Sequence, residues 1–219
     1  MIKGAIFDVD GTLLDSMSIW EDCSERFLRS LHIVPEENLN ESMWEMNVPE
    51  AVAYIRKKYV PWMTDKEIAD GMIGQVADFY RDQVQLKKGV LSLLQRLKKE
   101  NIPMVIATAS DRSYLQAAFD RLGINEYFLE MVSSAETGVG KTKPDIYLKC
   151  AEILGTKPGE TWVFEDVEHA VRTAKNAGFR VAGVYDYYSR EQMESISAMS
   201  DIYLQDMTDI DGFMKFAVD

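Results

Sequence analysis

From Lys88 onward, short apolar runs alternate with segments in which apolar residues recur at the spacing of an amphipathic helix. An earlier apolar run, Lys3–Val9, has the composition of a buried parallel strand. Because parallel strands need crossover connections, usually helices, this alternation predicts an α/β fold with a doubly wound, mostly parallel sheet. The other predicted strands are Pro103–Ala109, Met131–Ser133, Trp162–Asp166, Arg180–Val184 and Ile202–Leu204.

The stretch that follows the first strand has a different character. Residues 16–82 show helical periodicity and no convincing strand. Two capping boxes, Ser18 with Glu21 and Thr64 with Glu67, predict helix starts. The first of these helices is expected to bury one face, formed by Trp20, Cys23, Phe27 and Leu31. We therefore expect an α/β core, residues 1–15 and 84–219, with a helical cap, residues 16–83, inserted after the first strand.

The net charge of −12 restricts the classes of partner. An acidic surface repels nucleic acid and anionic membranes, so neither is expected as a partner. The chain also lacks an apolar run of the roughly 18 residues needed to span a bilayer. No secretory leader precedes the first strand, which predicts a cytoplasmic location. A phosphorylated substrate remains compatible with this charge if a divalent cation concentrates positive charge locally.

Residues that could take part in binding or catalysis follow four of the predicted strands. Ligands of open α/β sheets bind beyond the carboxyl ends of the strands, so these side chains are expected to converge. Clustered carboxylates repel one another unless a cation offsets them, and Mg²⁺ prefers hard oxygen ligands. A divalent cation among Asp8, Asp10 and Asp166 is therefore predicted. The full set is Asp8, Asp10, Thr108, Ala109, Ser110, Lys141, Glu165 and Asp166.

These residues resemble the four motifs of the haloacid dehalogenase superfamily. The first is Asp8-Val-Asp-Gly-Thr12, followed in order by Thr108, Lys141 and the pair Glu165-Asp166. The helical insertion after the first strand is similar to the group that contains β-phosphoglucomutase and phosphoglycolate phosphatase. The resemblance covers the whole chain and implies a Rossmann-like core with a helical cap domain.

The resemblance also implies a role for each residue. Asp8 would be the nucleophile and form an aspartyl-phosphate, while Asp10 would protonate the leaving oxygen and later activate water. Mg²⁺ would be held by Asp8, the backbone carbonyl of Asp10, and Asp166, with Glu165 as a further ligand. The phosphoryl oxygens would contact Thr108, Ala109, Ser110 and Lys141.

Two details depart from the family pattern. The lysine motif usually reads Lys-Pro-x-Pro, whereas here it reads Lys141-Thr-Lys143-Pro144. Either lysine could act, and Lys141 is favoured because it keeps the spacing to Pro144. The segment Ala135–Thr142 also resembles a relaxed nucleotide-binding P-loop, but the strand before it is weak, which disfavours a nucleotide site.

The resemblance leaves several functions to compare. A phosphatase acting on a small phosphorylated metabolite is the leading prediction, and a phosphomutase with the same nucleophile is the alternative. A dehalogenase is disfavoured because it has no alkoxide for Asp10 to protonate. A non-catalytic phosphoacceptor resembling receiver domains is disfavoured by the inserted cap, since a receiver must stay open to its kinase.

The predicted cap segment Glu36–Ile55 bears on the choice between phosphatase and mutase. It has five glutamates and no Lys or Arg, whereas a mutase must hold a second phosphate with a cation, often Arg. The segment therefore favours monophosphate substrates with a neutral or apolar leaving group. Its residues that could contact such a group are Met43, Trp44, Met46 and Asn47.

Overall fold

The computed structural model describes residues 2–43 and 46–218. The chain divides into two compact units. The core unit comprises Met1–Asp15 and Gln85–Asp219, and the helical unit comprises Ser16–Val84.

A parallel sheet forms the centre of the core unit. Its strand order is β3-β2-β1-β4-β5-β6, and all five pairings are parallel. The predicted doubly wound α/β fold is therefore confirmed. Because the chain winds in opposite directions from β1, a ligand crevice is expected beyond the carboxyl ends of β1 and β4. The strands are β1 (Gly4–Phe7), β2 (Met104–Thr108), β3 (Met131–Ser133), β4 (Thr161–Glu165), β5 (Arg180–Val184) and β6 (Ile202–Leu204).

Helices make up both the helical unit and the crossovers of the core unit. Among the described residues, no helix is both long enough and apolar enough to cross a bilayer. The helices of the helical unit are α1 (Ser18–Ser30), α2 (Leu39–Met43), α3 (Val48–Lys58) and α4 (Asp65–Asp82). The core unit contains α5 (Val90–Lys99), α6 (Arg112–Leu122), α7 (Ser134–Thr137), α8 (Asp145–Leu154), α9 (Glu168–Asn176), α10 (Met193–Met199) and α11 (Ile210–Val218). It also has short 3-10 helices at Asn125–Tyr127, Pro158–Glu160 and Arg190–Gln192.

The sheet is buried on both faces. Ile6 and Val163 belong to a core cluster with residues of α8 and α9 on one face. On the other face, the ring of Phe7 stacks on that of Phe164 with centroids 4.3 Å apart, and Phe164 contacts Phe213 of α11. Because successive strand residues point to opposite faces, Glu165 at the end of β4 lies on the same face as Val163 and α8.

The helical unit is built around contacts of α4 with α1 and α3. Gly71 permits the close approach of α1, since a Cβ atom there would lie 2.2 Å from the ring of Phe27. The predicted capping box of Thr64 and Glu67 is confirmed at the start of α4.

The predicted capping box at Ser18 is wrong. The first turn of α1 forms earlier, because the amide of Ile19 donates to the carbonyl of Ser16, so Ser18 is already inside the helix. Met17 is the N-cap and makes no side-chain capping bond. The buried face is shifted accordingly: Trp20 and Leu31 are exposed, while Ile19, Cys23, Ser24, Phe27 and Leu28 are buried.

Candidate active site

The loop after β1 is held against the end of β4. The amide of Asp8 donates to the carbonyl of Phe164 at 3.0 Å, which extends the pairing of β1 with β4 by one residue. Gly11 follows with φ of +80°, and a Cβ atom there would lie 2.3 Å from Oδ2 of Asp166. The hydroxyl of Thr12 donates to Oδ1 of Asp166 at 3.3 Å. Only glycine allows the turn to pack this closely on Asp166.

Lys141 connects the carboxylates that follow β1 and end β4. It lies in the loop between α7 and α8 with 7% of its surface exposed, whereas Lys143 is exposed. Its Nζ donates to Oδ1 of Asp8 and, at 2.6 Å, to Oε1 of Glu165. The structure thus places Lys141, the lysine favoured from the spacing, beside Asp8. An ammonium bound to carboxylates in this way differs from a P-loop lysine, which faces nucleotide phosphates.

A residue that the sequence analysis did not identify completes this contact. The hydroxyl of Tyr147 on α8 donates to Oε1 of Glu165 at 2.7 Å. The same oxygen accepts from Lys141, while Oε2 of Glu165 is buried and has no hydrogen-bond partner in the part of the chain that the structure describes. A tyrosine on the buried face of a helix needs a hydrogen-bond partner for its hydroxyl. The signal in the sequence is therefore a tyrosine among the apolar residues of this helix.

The second predicted group lies at the end of β2. Thr108 is fully buried, Ala109 is exposed and Ser110 is half-buried. The amide of Ser110 donates to the hydroxyl of Thr108 at 3.0 Å, and the hydroxyl of Ser110 donates to Oδ2 of Asp10 at 2.5 Å. The loop after β2 is therefore joined to the loop after β1 through Ser110 and Asp10.

Burial perturbs the ionisation of the central groups. It raises the pKa of Asp8 to about 7, with Glu165 and Asp10 adding to the effect and Lys141 opposing it. The pKa of Asp166 is raised well above its usual value, mainly by burial and then by Asp8. Burial lowers the pKa of the Lys141 ammonium, but Asp8 and Glu165 outweigh this and hold the pKa above its ordinary value. Lys141 therefore stays charged at neutral pH.

The carboxylates form a set that suits a divalent cation. Asp8, Glu165 and Asp166 are buried, and each offers an oxygen within 4.8 Å of the others. If all three carboxylates ionise, they and the Lys141 ammonium carry two negative charges in total, which a bound divalent cation would balance. The unpartnered Oε2 of Glu165 also supplies a ready ligand atom. Hard oxygen donors of this kind fit Mg²⁺.

Comparison with known proteins identifies the family. Residues 5–184 match the model of the haloacid dehalogenase-like hydrolases. The chain belongs to this family, and the predictions of family and hydrolase class are confirmed.

Several relatives are named as phosphatases. The validoxylamine A 7'-phosphate phosphatase of Streptomyces hygroscopicus subsp. limoneus is 24% identical over 96% of both chains. Hexitol phosphatase A of Escherichia coli is 30% identical over 83% of this chain and 82% of its own. A solved structure from Thermotoga maritima, taken to be a β-phosphoglucomutase, has a TM-score of 0.82 and 22% identity over 98% of this chain and 99% of its own. At that identity, the structural match shows the fold.

Proposed function

We propose that this chain is a Mg²⁺-dependent phosphatase that hydrolyses a small phosphomonoester through an aspartyl-phosphate on Asp8. The observation that carries the proposal is the buried contact of Asp8 with Lys141, beside Glu165 and Asp166, at the carboxyl ends of β1 and β4. A carboxylate nucleophile and concentrated positive charge are what phosphoryl transfer requires, because its transition state spreads negative charge over the phosphoryl oxygens.

The reaction divides into two displacements at phosphorus. In the first, a carboxylate oxygen of Asp8 forms a bond to phosphorus while the bond to the leaving oxygen breaks, and Asp10 gives that oxygen its proton. In the second, Asp10 takes a proton from water, the water oxygen bonds to phosphorus, and the bond to Asp8 breaks. The products are an alcohol and inorganic phosphate. Ser110 orients Asp10 for both proton transfers through its hydrogen bond.

The other residues of the site would stabilise charge and hold the phosphoryl group or the cation, and they transfer no proton. Lys141 neutralises charge next to Asp8, and Thr108 with Ala109 and Ser110 would hold the phosphoryl oxygens. Asp8, Asp166, Glu165 and the carbonyl of Asp10 would hold Mg²⁺. When bound, the cation supplies electrostatic stabilisation of the phosphoryl oxygens.

The helical unit favours a phosphatase over a phosphomutase. It contains a cavity of about 920 Å³ whose described lining includes three glutamates and neither Lys nor Arg. Such a lining would repel a phosphate dianion that entered the cavity. Three cations follow the segment Glu36–Ile55. Arg56 pairs with Asp65 at 3.1 Å, Lys58 pairs with Glu36 at 2.5 Å, and Lys57 is exposed. The lining residues are Glu21, Asn40, Glu41, Ser42, Met46, Glu50, Ala53 and Tyr54.

The same lining suits a ligand that carries hydroxyl groups. Carboxylate and amide oxygens accept hydrogen bonds from hydroxyls, and the Oδ1 atom of Asn40 is buried with no partner among the described residues. Relatives named for hexitol and carbohydrate phosphates fit this class. Of the residues predicted for this role, Met46 lines the cavity, and the Asn47 side chain instead caps α3. Met43 ends α2, and Trp44 lies outside the described residues.

Asp10→Asn is expected to slow hydrolysis of alkyl phosphates by about 10²- to 10⁴-fold, because the same carboxyl must give and then take a proton. Aryl phosphates should lose less, since their leaving oxygens need little protonation. The measurement compares kcat for p-nitrophenyl phosphate and a hexitol phosphate in both proteins. Equal losses on the two substrates would contradict the acid/base role of Asp10.

Phosphatase and mutase are distinguished by a product assay. With Mg²⁺ and β-glucose 1-phosphate, we expect release of inorganic phosphate and no acceleration by catalytic glucose bisphosphate. Phosphate and glucose 6-phosphate are measured together, and a panel of monophosphates then ranks substrates. Formation of glucose 6-phosphate faster than phosphate release would make the mutase the better assignment.

A further inference from the structure

Lys87 joins three segments of the core unit at one point. Its Nζ donates to the carbonyl of Gly11 at 2.7 Å, the carbonyl of Tyr185 at 2.6 Å and Oδ2 of Asp186 at 2.7 Å. An ammonium has three donors, so these contacts satisfy it fully. The Lys87 side chain is 17% exposed and that of Asp186 is 6% exposed, which makes this a largely buried contact.

The backbone around Lys87 is itself anchored next to the loop after β1. The amide of Lys87 donates to the carbonyl of Leu13 at 2.9 Å, and the amide of Asp15 donates to the carbonyl of Gln85 at 3.0 Å. With the antiparallel bridge between Leu14 and Leu86, residues 13–15 and 85–87 form a short two-stranded ribbon. From this ribbon the Lys87 side chain reaches the loop that follows β5.

Of the three groups that accept hydrogen bonds from Lys87, the Gly11 carbonyl is the one that bears on the reaction. It lies between Asp10 and Thr12 at a positive φ, where glycine is required and the backbone has no side chain to hold it. A hydrogen bond to its carbonyl restrains the turn that carries Asp8 and Asp10. The other two contacts fix the ammonium to the end of β5, so the restraint is tied to the sheet.

We propose that Lys87 is a positioning residue: by holding the Gly11 carbonyl against the end of β5, it sets the placement of Asp10 for proton transfer. This inference rests on the proposed function of Asp10. Small errors in the placement of a reacting group are costly, since a displacement of roughly 1 Å can lower a rate by about 10²-fold.

The adjacent lysine offers a matched control. Lys88 also pairs with an aspartate, Asp206, at 2.7 Å, but its side chain is 75% exposed. Lys87→Met and Lys88→Met each remove an ion pair, but only Lys87→Met also removes the contacts with the carbonyls of Gly11 and Tyr185. A third protein, Lys87→Met with Asp186→Asn, removes the buried carboxylate that the single change leaves without its cation.

The test combines kinetics, thermal unfolding and hydrogen exchange followed by mass spectrometry. Lys87→Met is expected to lower kcat on a hexitol phosphate by about 10- to 10²-fold, with a smaller loss on p-nitrophenyl phosphate and little change in KM. Exchange should rise in the peptide covering residues 8–14. Lys88→Met should behave as wild type. In the double variant, the melting temperature should recover while kcat and the exchange of residues 8–14 should not.

Two results would overturn the inference. One is a Lys87→Met protein that melts earlier but keeps its kcat and the wild-type ratio of the two substrates. The other is recovery of kcat together with stability in the double variant, which would assign Lys87 a structural role alone. Asp10→Asn assayed in parallel tests the proposed function separately, and the exchange of residues 8–14 reports on the Gly11 contact whatever the reaction proves to be.

Discussion

Asp8→Asn is expected to abolish turnover, with a loss of at least about 10⁴-fold, while the protein stays folded. An amide does not attack phosphorus, so no aspartyl-phosphate forms. The neighbouring Lys141 keeps its second contact with Glu165, and the site therefore retains a partner for the buried ammonium. Steady-state rates on p-nitrophenyl phosphate, together with acid-quenched mass spectrometry for phosphorylation of the protein, measure the effect.

The same variant has a stability signature that depends on pH. In the metal-free protein the pKa of Asp8 is raised from 3.8 to about 7, chiefly by burial. Protonated Asp8 is thus favoured by the folded state, so its contribution to stability is full below pH 4 and is lost as pH rises through 7. Without metal, the stability of Asp8→Asn relative to wild type should therefore increase between pH 4 and 8.

A control is available at an exposed aspartate of the same unit. Asp145→Asn, at the exposed start of α8, also replaces an aspartate by asparagine and should leave turnover unchanged. Thermal unfolding with a chelator present, from pH 4 to 8, gives the comparison. Retention of more than a few per cent of wild-type activity by Asp8→Asn would remove Asp8 as the nucleophile.

Removal of divalent metal is expected to abolish turnover as completely as Asp8→Asn does. Without the cation, the phosphoryl oxygens lose its electrostatic stabilisation, so a strong chelator should stop turnover and Mg²⁺ should restore it. Ca²⁺ should inhibit, because its larger and looser coordination disturbs in-line alignment. Rates at defined free Mg²⁺ and Ca²⁺ concentrations test this.

A substitution at Asp166 tests whether the metal binds to the predicted ligands. Asp166→Asn keeps an acceptor for the Thr12 hydroxyl but removes one of the charges, so Mg²⁺ affinity measured by titration calorimetry should fall. Thr173→Ala, at a half-buried position of α9 where the hydroxyl donates to the carbonyl of His169, is the control and should bind Mg²⁺ as wild type does. Full activity in Ca²⁺, or unchanged Mg²⁺ affinity in Asp166→Asn, would contradict the proposed site.

The fold class and the positions of the strands could be predicted from local patterns. Apolar runs and helical periodicity are properties of neighbouring residues, so β3, β5 and β6 were predicted to the residue. The same holds for the Thr64 capping box, where the reciprocal hydrogen bonds between Thr64 and Glu67 span three positions. The start of α1 differs from the prediction because backbone hydrogen bonds to the carbonyls of Ser16 and Met17 extend the helix without any side-chain signal.

The chemistry of the site was visible in the sequence as residues at strand ends, but its contacts were decided by the tertiary structure. Two lysines two positions apart met the motif, and only the fold shows that Lys141 is the one buried against Asp8 and Glu165. Tyr147 and Glu165 are 18 residues apart, and Lys87 and Gly11 are 76 apart. Periodicity indicates which face a residue occupies, whereas its partner depends on which crossovers bring distant segments to the same edge of the sheet.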